Sequence, residues 1–234
     1  MLDSALLRSF MDEFYGYGSH QGPHWFVGME EGGGNSEEEI ARRLSVWNSR
    51  GRRELEDLCE FHLAVGITEW HSSSAKIQKT WYPSVRILLI LNGVDPNPEI
   101  ARAYQRDRLA RPTSESRLSN LLPLPSPSRA DWLYSAWSEL PELCDRQGYS
   151  RAVMAFRTDH LATSIARHKP RSVVFYGESF MPSWARISGQ SFEWRKEGLA
   201  VAETPATRFV ACQHPRQGVS NEYFDAVGRW LVNS

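Results

Sequence analysis

The sequence predicts an α/β protein, namely a three-layer α/β/α sandwich around a central, mainly parallel sheet of four to five strands. Two observations support this prediction. Short apolar segments bounded by glycine or proline, which are typical of buried strands, alternate along the chain with segments of helical periodicity. The 234 residues show no internal repeat or linker, and α/β folds of this length commonly form one domain. We therefore expect residues 1–234 to form a single domain.

The first predicted strand is the apolar segment Trp25–Val27, which ends at Gly28. A run of three glycines then interrupts the chain. Asn35 or Ser36 can cap the helix that follows, because each side chain can accept a hydrogen bond from an exposed backbone N–H group. The first turn of this helix contains three glutamates, at positions 37–39, which the positive end of the helix dipole favours.

The middle of the chain is predicted to contain two helices and a short strand. The alternating apolar residues of 82–93 are compatible with a strand, but Pro83 at one end and Asn92 at the other favour a buried helix, which we predict. A second helix follows over 99–109. Residues 121–124 form an apolar strand that should soon give way to an irregular loop, because the prolines there cannot donate to a ladder.

The C-terminal part alternates strands with helices. A helix is predicted over 158–168, strands over 172–177, 199–203 and 208–212, and a closing helix over 224–231. Such alternation is typical of a mainly parallel sheet covered on both faces. In these sheets, ligands bind where the strands end at their carboxyl edge.

Composition excludes several classes of protein. The N-terminus lacks the apolar segment of a secretory signal, and the longest apolar run, Ile87–Leu91, is too short to span a bilayer. The three cysteines are widely spaced, which argues against a disulfide framework, a zinc ribbon or an iron–sulfur cluster and favours a reducing compartment. We expect a cytoplasmic monomer without a metal or other cofactor. The net charge of −1 allows nucleic-acid binding only through a local basic patch.

Three predicted strands end in polar segments, at 28–32 (GMEEG), 120–125 and 213–218 (QHPRQG). Their order and spacing resemble the uracil-DNA glycosylase superfamily. Its first motif follows the first strand as GQDPYH, GINPG or GEAPG, and its second begins with a histidine after the last strand, as in HPSPLS. Asn120 is the nearest match to the family's base-binding asparagine, and SVVFYG, at 172–177, is similar to its hydrophobic strand ending in glycine. The resemblance extends over residues 24–232.

The chain departs from the family pattern at several positions. Glu31 replaces a proline of the first motif, and Glu30 stands where related sequences have Asp or Asn. Residues 216–218, Arg-Gln-Gly, replace the Ser-Pro-Leu of the classical enzymes. The cysteines that bind the cluster in the iron–sulfur branch are missing. Membership of the fold is therefore better supported than the identity of the substrate.

The resemblance implies a metal-independent DNA glycosylase that removes uracil or a related deaminated base from DNA. Base removal passes through a state that is cationic on the sugar and anionic on the departing base, so a carboxylate near the sugar and a donor near the base both help. Glu30, or else Glu31, fits the first role, and His214 fits the second. The candidate substrate contacts are Gly28, Met29 and Asn120. The candidate phosphate contacts are Arg216, Gln217, Asn35 and Ser36.

Each candidate also has a purely structural interpretation. Paired glutamates often form a solvated turn, a His-Pro pair often caps a turn, and Asn120 can bond the backbone of a loop. Two other functions therefore stay open: a catalytically silent family member that binds nucleic acid or a partner protein, and a hydrolase of free nucleosides or nucleotides. Trp47 and Phe61 are candidates for stacking on a base.

Overall fold

One β-sheet organises the structure, a computed structural model that describes residues 1–128, 130–196, 198–215 and 218–232. The strands are β1 (Gly16–Gly18), β2 (His24–Gly32), β3 (Leu55–Glu56), β4 (Ser116–Ser126), β5 (Ser172–Tyr176), β6 (Glu193–Trp194), β7 (Ala200–Glu203) and β8 (Arg208–Cys212). The helices are α1 (Ser4–Glu13), α2 (Glu37–Ser49), α3 (Leu58–Ala64), α4 (Tyr82–Leu91), α5 (Pro98–Asp107), α6 (Tyr134–Trp137), α7 (Arg146–His168), α8 (Met181–Ser188) and α9 (Asn221–Val232).

The α/β class is confirmed, but the predicted number of strands and their mainly parallel arrangement were wrong. The sheet has eight strands in the order β3-β1-β4-β2-β5-β8-β7-β6, and it is mixed. Its four central strands, β4, β2, β5 and β8, run parallel to one another, whereas β1 and β7 are antiparallel to their central neighbours. The strands that the sequence did not predict, β1, β3 and β6, have only two or three residues each, too few to show a periodic pattern.

Helices cover both faces of this sheet. Side chains of β5 alternate between two apolar clusters, with Val173 and Phe175 in one and Val174 and Tyr176 in the other. The first cluster includes residues of α7 and α8, and the second includes residues of α4 and α9. We call the second side the α4–α9 face. Burial on both faces explains why β5 is apolar from Val173 to Tyr176.

Two strands are longer than the sequence predicted. β2 continues through Glu30, which pairs with Leu122, so the two candidate glutamates lie within a strand rather than after it. β4 extends to Ser126 and includes Pro123 and Pro125. Beyond Ser119, β4 pairs with β2 alone and its register is irregular, so these prolines do not interrupt a two-sided ladder.

The predicted helices are found, with changed limits. The buried helix at 82–93 is α4, which has Pro83 in its first turn and ends at Asn92 as its C-cap. The helix predicted at 158–168 is the second half of α7, which begins twelve residues earlier after Asp145 as N-cap. Its first turns are rich in polar residues, so the apolar pattern did not show them.

Candidate functional site

Three central strands end at one edge of the sheet, which we call the carboxyl edge. The parallel register aligns Val27 of β2 with Phe175 of β5 and Phe175 with Ala211 of β8. The segments that continue from these strands therefore leave the sheet side by side, with the segment after β5 in the middle. Glu30 in β2 and His214 after β8 lie on the same edge, two strands apart.

The carboxylate of Glu30 is bonded to an arginine at the start of α7. Nη1 of Arg146 donates to both carboxylate oxygens, at 2.9 Å each, and the Glu30 side chain is only 6% exposed. The other terminal nitrogen of Arg146 donates to the Ser126 hydroxyl at 2.5 Å and to two backbone carbonyls, of Ser128 and Asp131. Glu30 is thus a nearly buried carboxylate whose charge is balanced by a guanidinium.

Glu31 belongs to a separate buried cluster. Nη1 and Nη2 of Arg43 donate to its two oxygens at 3.2 Å, and the Tyr17 hydroxyl donates at 3.0 Å. Nε2 of His62 lies 3.7 Å from the same carboxylate. Burial by itself would raise the pKa of the Glu31 carboxyl, but Arg43, helped by His62 and Tyr17, lowers that pKa to about 2. Glu31 is therefore a charged partner in a buried ion pair.

Two histidines extend this cluster away from Glu31. Nδ1 of His62 lies 3.1 Å from Nε2 of His71, so the two rings share one hydrogen bond. Burial, together with the charges of His62 and Arg111, lowers the pKa of His71 to about 4, and burial also lowers the pKa of His62. Each ring has a second nitrogen that is not used in this bond, His62 Nε2 and His71 Nδ1. Within the described part of the chain, neither of these two nitrogens has a hydrogen-bond partner.

Asn120 and Gly28 face each other on β4 and β2. A Cβ added to Gly28 would lie 2.8 Å from Oδ1 of Asn120, so any larger residue at position 28 would displace the amide from its present place. The backbone oxygen of Asn120 accepts a hydrogen bond from Arg157 at 2.9 Å, but its side-chain amide forms none with the described residues. Met29 is half-buried and packs against the core of the α4–α9 face.

His214 follows β8 by two residues and is half-buried. The preceding residue is fixed, because the backbone N–H of Gln213 donates to the Tyr223 hydroxyl at 3.0 Å, and this hydroxyl donates to the Gly198 carbonyl at 3.1 Å. The next two candidates, Arg216 and Gln217, lie outside the described residues.

The start of α2 does not offer the open phosphate site that the sequence suggested. Ser36 is the N-cap, and its hydroxyl accepts the N–H of Glu39 at 3.2 Å. The Glu39 carboxylate in turn accepts the N–H groups of Gly34 at 2.8 Å and Asn35 at 2.9 Å. This reciprocal capping leaves those donors occupied by the protein's own anion. The stacking candidates Trp47 and Phe61 were also wrong, because both are fully buried in the core.

One residue at the carboxyl edge was missed by the sequence analysis. Glu178 comes directly after Gly177, where β5 ends, and is half-buried. Gly177 has a φ of +101°, which favours glycine, and its carbonyl accepts hydrogen bonds from the backbone N–H of Phe180 and from Nε1 of Trp184. The position of Glu178 after the clearest predicted strand was a usable signal.

Other features neither extend nor identify the site. Among the described residues, no group of three or more His, Cys, Asp or Glu side chains is arranged to hold a metal ion. Every helix in these parts of the chain is too short or too polar to cross a membrane. Comparison of the sequence with protein-family models gives no matching family. A search of curated proteins likewise gives no match.

Proposed function

We propose that the protein is a DNA glycosylase with a uracil-DNA glycosylase-like sandwich fold, which hydrolyses the bond between deoxyribose and uracil or a related deaminated base. One observation carries this proposal: the Asn120 amide has no hydrogen bond with the described residues and lies over Gly28, at the edge where Glu30 and His214 also lie. An amide offers both acceptor and donor atoms, which suits the mixed hydrogen-bonding edge of a pyrimidine. Gly28 leaves room for this amide between β2 and β4.

The chemistry needs groups that act at opposite ends of the breaking bond. The target nucleotide is first turned out of the helix, so that its base reaches the amide of Asn120. As the bond from C1′ to the base nitrogen breaks, negative charge grows on the base, and a neutral His214 ring can donate a hydrogen bond to it. Positive charge grows on the sugar, which a carboxylate at the same edge stabilises.

A second candidate function has its own support in the structure. Both glutamates of the GMEEG segment are bonded to arginines. These contacts favour a binding module for nucleic acid or a partner protein over an enzyme, because a neutralised carboxylate stabilises a cation weakly. The third candidate, a hydrolase of free nucleosides or nucleotides, would use the same edge and differs only in substrate.

An excision assay separates these functions. We expect the protein to leave alkali-sensitive abasic sites in an oligonucleotide that contains uracil, but not in the same oligonucleotide with thymine. Asn120→Ala should reduce the rate of excision about 10- to 100-fold. This is the usual loss when a side chain that forms two hydrogen bonds with a base is removed. Asn48→Ala, which changes an exposed asparagine on α2, is the matched control and should have no effect. Activity on free deoxyuridine alone would favour the nucleoside hydrolase, and inactivity on every modified base would favour the binding module.

DNA binding provides an independent test of the partner. Since the net charge is −1, affinity for DNA has to come from a local patch of arginines, and binding through phosphate contacts weakens steeply with salt. We expect the dissociation constant measured by fluorescence anisotropy to rise by at least tenfold between about 50 and 200 mM salt. An affinity that does not change over this range would contradict binding through the phosphates.

A further inference from the structure

Three glutamates lie at the carboxyl edge, and they differ in their partners. Glu30 is bonded to Arg146, and Glu31 is bonded to Arg43. Glu178 forms no ion pair and no hydrogen bond through its side chain with the described residues. Among the described residues, it is therefore the one carboxylate of these three that has no arginine bonded to it.

The sheet places Glu178 between the other candidate residues. β5 lies between β2 and β8, so the turn after β5 lies between Glu30 and His214. This turn is fixed to the neighbouring strand, because the N–H of Gly177 donates to the Cys212 carbonyl at 2.9 Å. A second bond, from Nε1 of Trp184 to the Gly177 carbonyl at 2.8 Å, holds the same turn. Glu178 thus follows a turn that two hydrogen bonds hold in place.

The charge of Glu178 affects the pKa values of two groups on the α4–α9 face. Burial, with a smaller contribution from Glu178, raises the pKa of the Cys212 thiol. The pKa of the Tyr223 hydroxyl is raised in the same direction, again chiefly by burial. Cys212 and Tyr223 both belong to the α4–α9 face, and Tyr223 also holds the residue before His214. Glu178 and His214 also follow adjacent strands of the sheet, β5 and β8, whose residues Tyr176 and Cys212 are paired.

We propose that Glu178 is a further catalytic residue of the site, with its carboxylate stabilising the sugar cation and receiving a proton from the attacking water. This inference rests on the proposed glycosylase function. The water oxygen bonds to C1′, and the bond from C1′ to the base breaks with its electron pair going to the base. One proton of the water passes to Glu178, and the departing base takes a proton from solvent. The products are the free base and an abasic sugar.

Electrostatics explains why this residue, rather than Glu30, supplies the charge. The field of an isolated carboxylate falls with distance as that of a single charge, whereas a carboxylate bonded to a guanidinium acts as a dipole whose field falls faster. A cation that develops a few ångströms away is therefore stabilised more by Glu178, which has no ion-pair partner within the described ranges. Glu30, bonded to Arg146 at 2.9 Å, is left with the role of fixing the end of β2.

Matched glutamine variants test this assignment in single-turnover excision. Glu178→Gln should slow excision by about 10²- to 10⁴-fold, and Glu30→Gln should slow it much less. Glu203→Gln is the control, because Glu203 is an exposed glutamate at the end of the antiparallel strand β7, on the opposite edge of the sheet. It should excise at the wild-type rate. Circular dichroism and melting should show that all three variants are folded.

A binding measurement provides a readout that does not depend on turnover. The probes are two oligonucleotides with an abasic analogue, one a cationic pyrrolidine and the other a neutral tetrahydrofuran. We expect the wild type to prefer the cationic probe and Glu178→Gln to lose this preference, whereas Glu30→Gln keeps it. A Glu178→Gln variant with wild-type excision and preference would overturn the role of Glu178 and leave the glycosylase function intact. A wild-type protein that excises no base would overturn the proposed function and, with it, the catalytic role of Glu178, which distinguishes this outcome from failure of the Glu178 assignment alone.

Discussion

Glu31 and Glu178 lie at the same edge of one sheet, yet their surroundings give them different properties. The carboxylate of Glu31 receives hydrogen bonds from Arg43 and Tyr17, and it belongs to a buried cluster. Glu178 follows a turn held by backbone bonds, and its own carboxylate is not used to hold that turn. A carboxylate at a strand end can therefore either stabilise the fold or bind a ligand, and the groups bonded to it decide which.

The largest difference between these two residues should appear in stability. Glu31→Gln leaves Arg43, which is 3% exposed, without its carboxylate, and breaking a buried pair in this way costs about 3–5 kcal/mol. Glu178→Gln should change the free energy of unfolding by less than about 0.5 kcal/mol, as is usual for a residue outside such a network. Urea denaturation measures both values. Equal losses of unfolding free energy in the two variants would contradict the view that Glu31 stabilises the fold and Glu178 does not.

The histidines behind Glu31 make stability depend on pH. The pKa of His71 is about 4 in the folded protein, against an ordinary value of 6.5, so the unfolded chain binds a proton first as the pH falls. The free energy of unfolding should therefore decrease between about pH 6.5 and 4, by about 3 kcal/mol from this group. His20 and His24, whose pKa values are also lowered to about 4, add a loss of the same sign.

The variant His71→Gln isolates the contribution of this group. We expect the dependence of its unfolding free energy on pH to be weaker than that of the wild type between pH 6.5 and 4, as measured by urea denaturation at several pH values. An unchanged slope would show that the His62–His71 pair does not control stability in this range.

The bond between Glu30 and Arg146 should give a smaller, measurable coupling. In a double-mutant cycle of Glu30→Gln and Arg146→Gln, we expect the two effects on stability to differ from additivity by about 2 kcal/mol, since the side chains are in direct contact. A cycle with Arg151→Gln is the control, because Arg151 is exposed on the same helix. Additive effects in both cycles would mean that Glu30 is as independent as Glu178.

The smallest expected effect concerns the cap of α2. Ser36→Ala removes the acceptor for the N–H of Glu39 and should cost about 1 kcal/mol. Ser49→Ala, at the exposed end of the same helix, should cost less than half of that. Comparable losses in the two variants would contradict a capping role for Ser36 and reopen the start of α2 as a ligand site.

Much of the fold follows from local patterns. The apolar segment of β5 and the proline and asparagine that bound α4 specify those elements without reference to distant residues. Strands β1, β3 and β6 could not be predicted, because two or three residues carry no period and their pairing depends on partners far along the chain. The same applies to the full length of β4, in which prolines are tolerated because only one side is paired.

The sequence by itself determined the α/β class and the segments at the carboxyl edge, because parallel strands end at a common edge. It placed Glu30, Asn120 and His214 on that edge. Only the tertiary structure decided which carboxylates are neutralised. Arg43 is 12 residues from Glu31, and Arg146 is 116 residues from Glu30. Ion pairing is set by distances in space, so the chain must fold before an arginine can reach a glutamate. In the part of the chain that the structure describes, Glu30 and Glu31 have such a partner and Glu178 has none.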